Sequence, residues 1–154
     1  MLTITPFLWF DDQAEEAATL YVSVFPNSRV TRVSPGPGGK AMTVSFELDG
    51  LPVTALNGGP TYHFTEAVSF SVMCEDQAEV DRYWSALTAD GGEESRCGWL
   101  KDRFGFSWQI VPRALPELLG DPDRERANRA MKAMLGMRKL DIAMLEAAAG
   151  SAAN

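Results

Sequence analysis

An internal repeat is the feature that most constrains the fold of this chain of 154 residues. The tetrapeptide Asp-Gln-Ala-Glu occurs at 12–15 and again at 76–79, each time directly after an apolar run typical of a β-strand. Each copy opens a segment in which apolar residues recur at i, i+3, i+4 and i+7, the spacing of one face of an α-helix. These residues are Ala17, Leu20, Tyr21 and Val24 in the first segment and Val80, Tyr83, Trp84 and Leu87 in the second. The repeat therefore predicts a duplicated architecture.

The segments around the two predicted helices follow the same order of elements. Strands are predicted over 2–10, 28–34, 41–48 and 51–57 in the first half and over 67–74, 93–97, 99–101 and 106–111 in the second. Glycine and proline separate these runs, and Asp49-Gly50 is a strong two-residue hairpin signal. The pattern predicts an α+β fold of two tandem βαβββ modules, at about 1–57 and 66–112, which form one domain over 1–112.

Acidic residues at the two helix starts have a structural explanation. Asp12 with Glu15, and likewise Asp76 with Glu79, fit a capping box, in which the first side chain accepts from a free helix amide and the second reaches back. We therefore do not assign these carboxylates to catalysis.

The remainder of the chain, 113–150, is rich in Leu, Met, Ala and alternating charge, which predicts a helical C-terminal extension. Asp121-Pro122 is a favourable helix start. Residues 121–141 hold six Lys/Arg and four Asp/Glu, whereas the whole chain has a net charge of −7. This basic segment docks on the acidic body or on a second copy, or else it presents a solvated helix face.

Composition excludes several classes of function. A net charge of −7 is the wrong sign for neutralising phosphates, so we expect no nucleic-acid partner. No apolar run has the length of a membrane helix, and the N-terminus lacks the features of a signal peptide, so we expect a cytoplasmic protein without a membrane partner. Cys74 and Cys97 are expected to be reduced thiols. His63 is the only histidine, which excludes sites that need two imidazoles.

Two βαβββ modules in tandem resemble the vicinal oxygen chelate superfamily, which includes glyoxalase I, bleomycin-resistance proteins and extradiol dioxygenases. The segments that look like its PhnB-like branch, commonly labelled 3-demethylubiquinone-9 3-methyltransferase, are 5–10, 15–17, 25–28, 56–60, 69–70, 98–102 and 105–112, together with 121–123 and 133–135 of the extension. The resemblance implies that the modules curl into a cup and that the protein is a homodimer.

The resemblance also implies where a metal would bind. Catalytic members of the superfamily hold a divalent metal through His, Glu or Gln, and those positions fall near Thr5 and Ser69 and on Gln109. These are neutral oxygen donors, which hold zinc and transition metals poorly, so we expect no cofactor. Glu47 and His63 supply replacement ligands only if they point inward. A metal-dependent isomerase, lyase or dioxygenase remains the alternative, with His63 as a candidate general base.

The methyltransferase label implies a site for S-adenosylmethionine, and the sequence can be compared with that expectation. Such enzymes on a doubly wound fold carry a glycine-rich turn between a strand and a helix. The only comparable run, Gly36 to Gly39, lies between two predicted strands. We therefore disfavour methyl transfer to a ubiquinone precursor.

Alternation along the strands predicts which side chains line the cup, because successive residues point to opposite faces. The predicted lining comprises Thr5, Phe7 and Trp9, then Ser69, Ser71 and Met73, then Ser107, Gln109 and Val111, with Trp99 at the rim. The residues predicted to face the helices are Pro6, Leu8, Phe10, Val68, Phe70, Val72 and Trp108. An aromatic, Gln/Ser-lined cup favours binding of a small planar or uncharged molecule, although Phe7 and Trp9 are explained equally well as core.

Overall fold

The structure, a computed structural model in which residues 1–150 are described, divides into two compact units. The first unit covers residues 1–64, and the second begins at Thr65. Each unit contains one of the predicted modules, and the C-terminal extension belongs to the second unit.

The first unit is a four-stranded sheet with one helix packed on it. Its elements are β1 (Phe7–Phe10), α1 (Ala14–Val24), β2 (Arg29–Pro35), β3 (Ala41–Leu48) and β4 (Leu51–Asn57). The strand order is β1-β4-β3-β2, with β1 parallel to β4 and the other pairs antiparallel. Between β3 and β4, Asp49 and Gly50 both have positive φ, 47° and 87°, which confirms the predicted hairpin turn.

The second unit repeats this topology and adds three helices. Its elements are β5 (Ser69–Cys74), α2 (Gln77–Thr88), β6 (Glu93–Glu94), β7 (Trp99–Lys101), β8 (Ser107–Pro112), α3 (Ala114–Leu119), α4 (Arg124–Leu135) and α5 (Ile142–Gly150). The strand order is β5-β8-β7-β6, and β5 is parallel to β8. The predicted α+β fold of two βαβββ modules with C-terminal helices is confirmed.

Each unit has a core between its helix and one face of its sheet. In the first unit Tyr21 of α1 is fully buried against Phe46 of β3, with ring centroids 6.1 Å apart. In the second unit the whole predicted stripe of α2 is buried, and Trp108 is in the core as predicted. The buried strand residues are Leu8, Phe10, Val44, Phe46, Val53 and Ala55 in the first unit and Cys74, Leu100, Trp108 and Ile110 in the second.

A buried carboxylate organises the turn between β7 and β8. Asp102 is buried and accepts hydrogen bonds from the backbone N–H groups of Phe104 (2.9 Å) and Phe106 (3.1 Å) and from the indole N–H of Trp108 (2.9 Å). Three donors to one carboxylate satisfy it away from water.

The C-terminal extension is tied to α2 and to the loop before β7. Gln77 of α2 donates to the carbonyl of Leu140 (3.0 Å) and accepts from the N–H of Ile142 (2.8 Å). Lys139 forms an ion pair with Asp81, 2.9 Å apart. The basic segment therefore docks within the same chain, at least through this residue.

The helix caps differ from the prediction in one of the two copies. At α2, Asp76 accepts from the N–H of Glu79 (2.9 Å), and Glu79 accepts from the N–H of Glu75 (2.8 Å), close to the predicted capping box. At α1 the prediction is wrong: the N–H of Ala14 donates to the side chain of Asn57 instead (2.8 Å). Local sequence cannot show a cap supplied from the end of β4.

Several predicted boundaries are also corrected. The first strand begins at Phe7 rather than Leu2, and the predicted strand 93–97 ends at Glu94. Helix α4 begins at Arg124 because Asp123 caps it by accepting from the N–H groups of the next turn. Val68 lies before β5 and is 63% exposed, so its predicted position against the helices is wrong. Within residues 1–150, no helix has the length and apolarity needed to cross a membrane.

Candidate functional site

The repeat fixes which positions of the two sheets correspond. Because Asp-Gln-Ala-Glu aligns 12 with 76, Phe10 at the end of β1 corresponds to Cys74 at the end of β5. The residue pairing between neighbouring strands then extends this correspondence to the other strands of each sheet. On the open faces, which are turned away from the helices, the pairs are Trp9 with Met73, Phe7 with Ser71, Thr54 with Gln109, Ser45 with Trp99, Glu47 with Lys101 and Pro52 with Ser107.

On the open face of the first sheet, Trp9 packs against the segment that follows β4. Its indole N–H donates to the carbonyl of Gly59 (2.9 Å), and the ring of Tyr62 meets it edge-on at 4.9 Å. The ring also lies so close to Gly58 that a Cβ there would be 2.4 Å from the indole Cε2. Trp9 thus holds the segment after β4, whereas Phe7 is exposed.

Predicted site residues of the second sheet are brought together on its open face. The Gln109 Nε2 of β8 donates to the hydroxyl of Ser69 on β5 (2.9 Å). Ser71 lies opposite Gln109 on β5, and Trp99 lies opposite it on β7. Gln109 and Trp99 are half-buried. This arrangement places an amide, hydroxyls and an indole around one point of the sheet.

A cavity of about 350 Å³ opens beside Trp99 within the second unit. Its lining residues are Glu66, Ser95, Arg96, Cys97, Trp99, Leu100, Lys101 and Ser107. Ser107 is only 1% exposed, and its hydroxyl has no hydrogen-bond partner among residues 1–150. A buried hydroxyl without a hydrogen-bond partner is uncommon and costly. It marks a position where a bound molecule would supply the missing partner.

An ion pair lies at this cavity. The Lys101 ammonium contacts the Glu66 carboxylate, and both side chains are exposed to solvent. The hydrogen bond from Lys101 lowers the pKa of Glu66 below its ordinary value, and the same contact raises the pKa of Lys101. Both groups are therefore charged around neutral pH. Because the pair is exposed, it is weak and can be displaced.

The two thiols have opposite environments. Cys74 is fully buried, and burial raises its pKa to about 12. Cys97 is half-buried and lines the cavity, on a backbone with φ of 58°. Its N–H donates to the carbonyl of Met137 (2.9 Å), and the N–H of Gly98 donates to the carbonyl of Arg138 (2.8 Å). The C-terminal extension thus holds the loop that carries Cys97.

Of the lining residues, only Trp99 and Ser107 were predicted from the sequence. Those missed are Glu66, Ser95, Arg96, Cys97, Leu100 and Lys101. Lys101 alternates with Trp99 and lies opposite Ser107, so the strand pattern contained a signal for it. Cys97 and Glu66 lie in loops, where no periodicity points to a face. Their position depends on contacts distant in sequence.

The residues proposed as metal ligands do not form a suitable set. Gln109 and Ser69 are hydrogen-bonded to each other, and Glu47 of the first sheet pairs with Arg29 at 3.4 Å. His63 is exposed in the segment after β4, and Thr5 lies before β1. In the described part of the chain, no three His, Cys, Asp or Glu side chains are grouped as metal ligands. The donors therefore do not fit the metal that the superfamily implies.

A larger cavity of about 590 Å³ lies in the C-terminal helices, and its lining is mostly apolar. The lining residues are Arg129, Lys132, Ala133, Gly136, Met137, Met144 and Ala148. Arg129 is engaged at the end of α5, where its guanidinium donates to the carbonyls of Ala148 and Ala149. None of the predicted site residues lines this cavity.

Comparisons with known proteins agree with this fold. The family described as 3-demethylubiquinone-9 3-methyltransferase matches residues 2–111. A putative 3-demethylubiquinone-9 3-methyltransferase, PhnB protein, from Bacillus cereus is 29% identical, with a TM-score of 0.67 over 72% of this chain and 99% of its own. Protein PA1353 from Pseudomonas aeruginosa is 21% identical, with a TM-score of 0.61 over 73% of this chain and 98% of its own.

A more distant structure shares the fold alone. The fosfomycin resistance protein FosX from Listeria monocytogenes is 17% identical, with a TM-score of 0.54 over 76% of this chain and 97% of its own. No match is found among curated proteins.

Proposed function

The chain belongs to the family described as 3-demethylubiquinone-9 3-methyltransferase, the PhnB-like branch of the vicinal oxygen chelate superfamily, and within it we propose a small-molecule-binding function. The proposed ligand is a small planar molecule, held on the open face of the second sheet by Gln109, Ser69 and Trp99.

The observation that supports this proposal is the hydrogen bond between Gln109 and Ser69. Because the amide nitrogen of Gln109 donates to the Ser69 hydroxyl, the Gln109 Oε1 remains an acceptor and the hydroxyl proton of Ser69 remains a donor. Within residues 1–150, no protein group donates to that Oε1. A half-buried indole beside a matched donor and acceptor suits a flat molecule that carries both kinds of group.

The literal methyl-transfer reaction is less well supported by this chain. The connection between β1 and α1, residues 11–13, contains no glycine, and the glycine-rich segment 36–39 lies between β2 and β3. A glycine-rich turn at a helix start is what would cradle the cofactor in doubly wound methyltransferases. The chain therefore offers binding groups without a recognisable site for S-adenosylmethionine.

Benzamide is a suitable first probe, because its ring can stack on an indole and its amide supplies one donor and one acceptor. We expect saturable binding by NMR, with shifts at Trp99 and Gln109. Gln109→Ala should weaken binding by about 1–3 kcal/mol, since the ligand loses its hydrogen-bond partner at a half-buried position. Gln13→Ala, at an exposed position before α1, is the matched control and should bind as the parent does. Equal binding by Gln109→Ala would remove Gln109 from the site.

We also propose that the protein is a homodimer. β1 and β5 are edge strands, and they expose Phe7 and Met73. Exposed edge strands with apolar side chains pair readily with another chain. Light scattering should give twice the chain mass of 16.8 kDa, and a monomer mass would contradict this proposal.

A further inference from the structure

We propose that the cavity beside Trp99 binds an anionic group, so that the ligand of the second sheet is a planar carboxylate. This inference rests on the proposed small-molecule-binding function and adds the chemical class of the ligand. It is carried by three features of the cavity. These are a buried hydroxyl without a hydrogen-bond partner, two cationic side chains, and a carboxylate of the chain itself that is paired with one of the two cations.

The buried hydroxyl is that of Ser107. It lies opposite Ser69 on one side and opposite Lys101 on the other. It is sheltered from water and receives no hydrogen bond from residues 1–150. A hydroxyl proton can donate to an incoming oxygen, and a hydrogen bond to a charged acceptor is stronger than one to a neutral acceptor. A ligand carboxylate reaching Ser107 would therefore satisfy the orphaned group.

The charges around the cavity favour the same class of ligand. Arg96 and Lys101 both line it, and Arg96 has no carboxylate within ion-pair distance among residues 1–150. Lys101 is paired with Glu66, and Glu93 lies opposite Lys101 on β6, exposed and outside the lining. A bound anion would thus meet one unpaired guanidinium and one ammonium held only by an exposed carboxylate.

Glu66 is a carboxylate of the chain that already binds a cation of this cavity. It contacts Lys101 from the segment before β5. A ligand carboxylate would compete with it for the same ammonium, and an exposed ion pair contributes little free energy against such competition. The substitution Glu66→Gln should therefore strengthen anion binding, which a general loss of structure would not do.

The cavity volume limits the size of the ligand. A volume of about 350 Å³ is near the lower end of small-molecule pockets. One aromatic ring with its carboxylate fits this range, and the indole of Trp99 supplies a flat apolar surface for the ring. Benzoate is the corresponding probe, and benzamide is its neutral isostere.

Cys97 provides the readout. Iodoacetamide alkylates a thiolate by forming a C–S bond as iodide leaves, after the thiol has lost its proton to solvent. Of the two cysteines, Cys74 is fully buried with a raised pKa, so Cys97 should react first in the folded protein. A ligand in the cavity should slow that reaction, and intact mass spectrometry measures the rate.

We expect benzoate to protect Cys97 at concentrations at least tenfold lower than benzamide. Glu66→Gln should lower the benzoate concentration needed by several-fold, and Lys101→Met and Lys101→Gln should both abolish the advantage of benzoate. Lys40→Met, which removes another exposed lysine paired with a carboxylate, is the matched control and should leave protection unchanged.

The outcomes separate this inference from the proposed function. Equal protection by benzamide and benzoate would overturn the anionic class while leaving the planar ligand in place. Benzamide binding that depends on Gln109, without protection of Cys97 by benzoate in the parent or in Glu66→Gln, would also overturn it. If neither probe binds at all, both proposals fail together.

Discussion

The two units share one topology but use their open faces in different ways. In the first unit the long strands β2, β3 and β4 have seven, eight and seven residues, and Trp9 packs against the segment that follows β4. In the second unit β6 and β7 have only two and three residues, and a cavity forms beside Trp99. The two short strands leave room for loop residues at the second sheet, so a cavity forms there, whereas in the first unit the segment after β4 packs on Trp9.

The corresponding positions show the same division chemically. Trp99 corresponds to Ser45, and Gln109 corresponds to Thr54. Lys101 corresponds to Glu47, so the sign of the charge is reversed between the two sheets. A ligand class that suits the second sheet is therefore not expected to suit the first.

The turns before β4 and β8 provide the largest expected contrast. Asp102→Ala would leave three N–H donors without their acceptor, and we expect a loss of about 3–4 kcal/mol in the free energy of unfolding. Asp49→Ala, in the first unit, removes an exposed side chain from a residue with φ of 47° and should cost less than about 1 kcal/mol, because Asp tolerates the left-handed region only somewhat better than Ala. Urea unfolding measures both, and equal losses would show that the two turns are energetically equivalent.

The packing of Trp9 should depend on the absence of a side chain at Gly58. Gly58→Ala places a Cβ within 2.4 Å of the indole, so the ring or the segment must move, at a cost of about 1–3 kcal/mol. Gly136→Ala in the second unit meets its nearest atom at an ordinary 3.6 Å and should change stability by less than about 0.5 kcal/mol. A thermal melt distinguishes them. Unchanged stability in Gly58→Ala would mean that the Trp9 ring can shift away from residue 58 without a cost in free energy.

The ends of β1 and β5 should differ in their response to alkaline pH, because Phe10 corresponds to Cys74. Burial raises the pKa of Cys74 to about 12 from an ordinary value of 9.0, so above pH 9 the unfolded thiol ionises while the folded one keeps its proton. Stability should therefore fall by about 1.4 kcal/mol per pH unit between the two values. Cys74→Ala should remove this contribution from the slope of unfolding free energy against pH, and Cys97→Ala should retain it.

The smallest effect is expected at Ser107, and its sign is the informative part. Ser107→Ala removes a buried hydroxyl without a partner, so the ligand-free protein should become more stable by about 1 kcal/mol. At its counterpart Pro52 the first unit has no hydroxyl to remove. Calorimetry should show a melting temperature raised by about 2–4 °C, together with weaker benzoate protection of Cys97. A destabilised variant would indicate that the hydroxyl is satisfied.

Patterns local in sequence predicted most of the fold. The repeated tetrapeptide and the apolar stripes located both helices, and alternation placed Leu8 and Phe10 in the core and Gln109 on the open face. The Asp49-Gly50 turn followed from its residue types alone. These features depend on neighbours within a few positions, which is why they could be read from one chain.

Features that depend on distant residues were not predictable. The cap of α1 comes from Asn57, which is 43 positions away from Ala14. The burial of Ser107 and the place of Cys97 at a cavity depend on loops and on the C-terminal extension. Of the residues that line the cavity, Trp99 and Ser107 were predicted from strand alternation, whereas the strand residue Lys101 and the loop residues Glu66 and Cys97 were missed.

The backbone hydrogen bonds from Cys97 and Gly98 to Met137 and Arg138 make the cavity depend on the C-terminal extension. The family match ends at residue 111. One wall of the cavity is thus fastened by a segment beyond the residues that the family match covers. Changes confined to this segment are therefore expected to alter the shape of the cavity while every strand of the sheet stays the same.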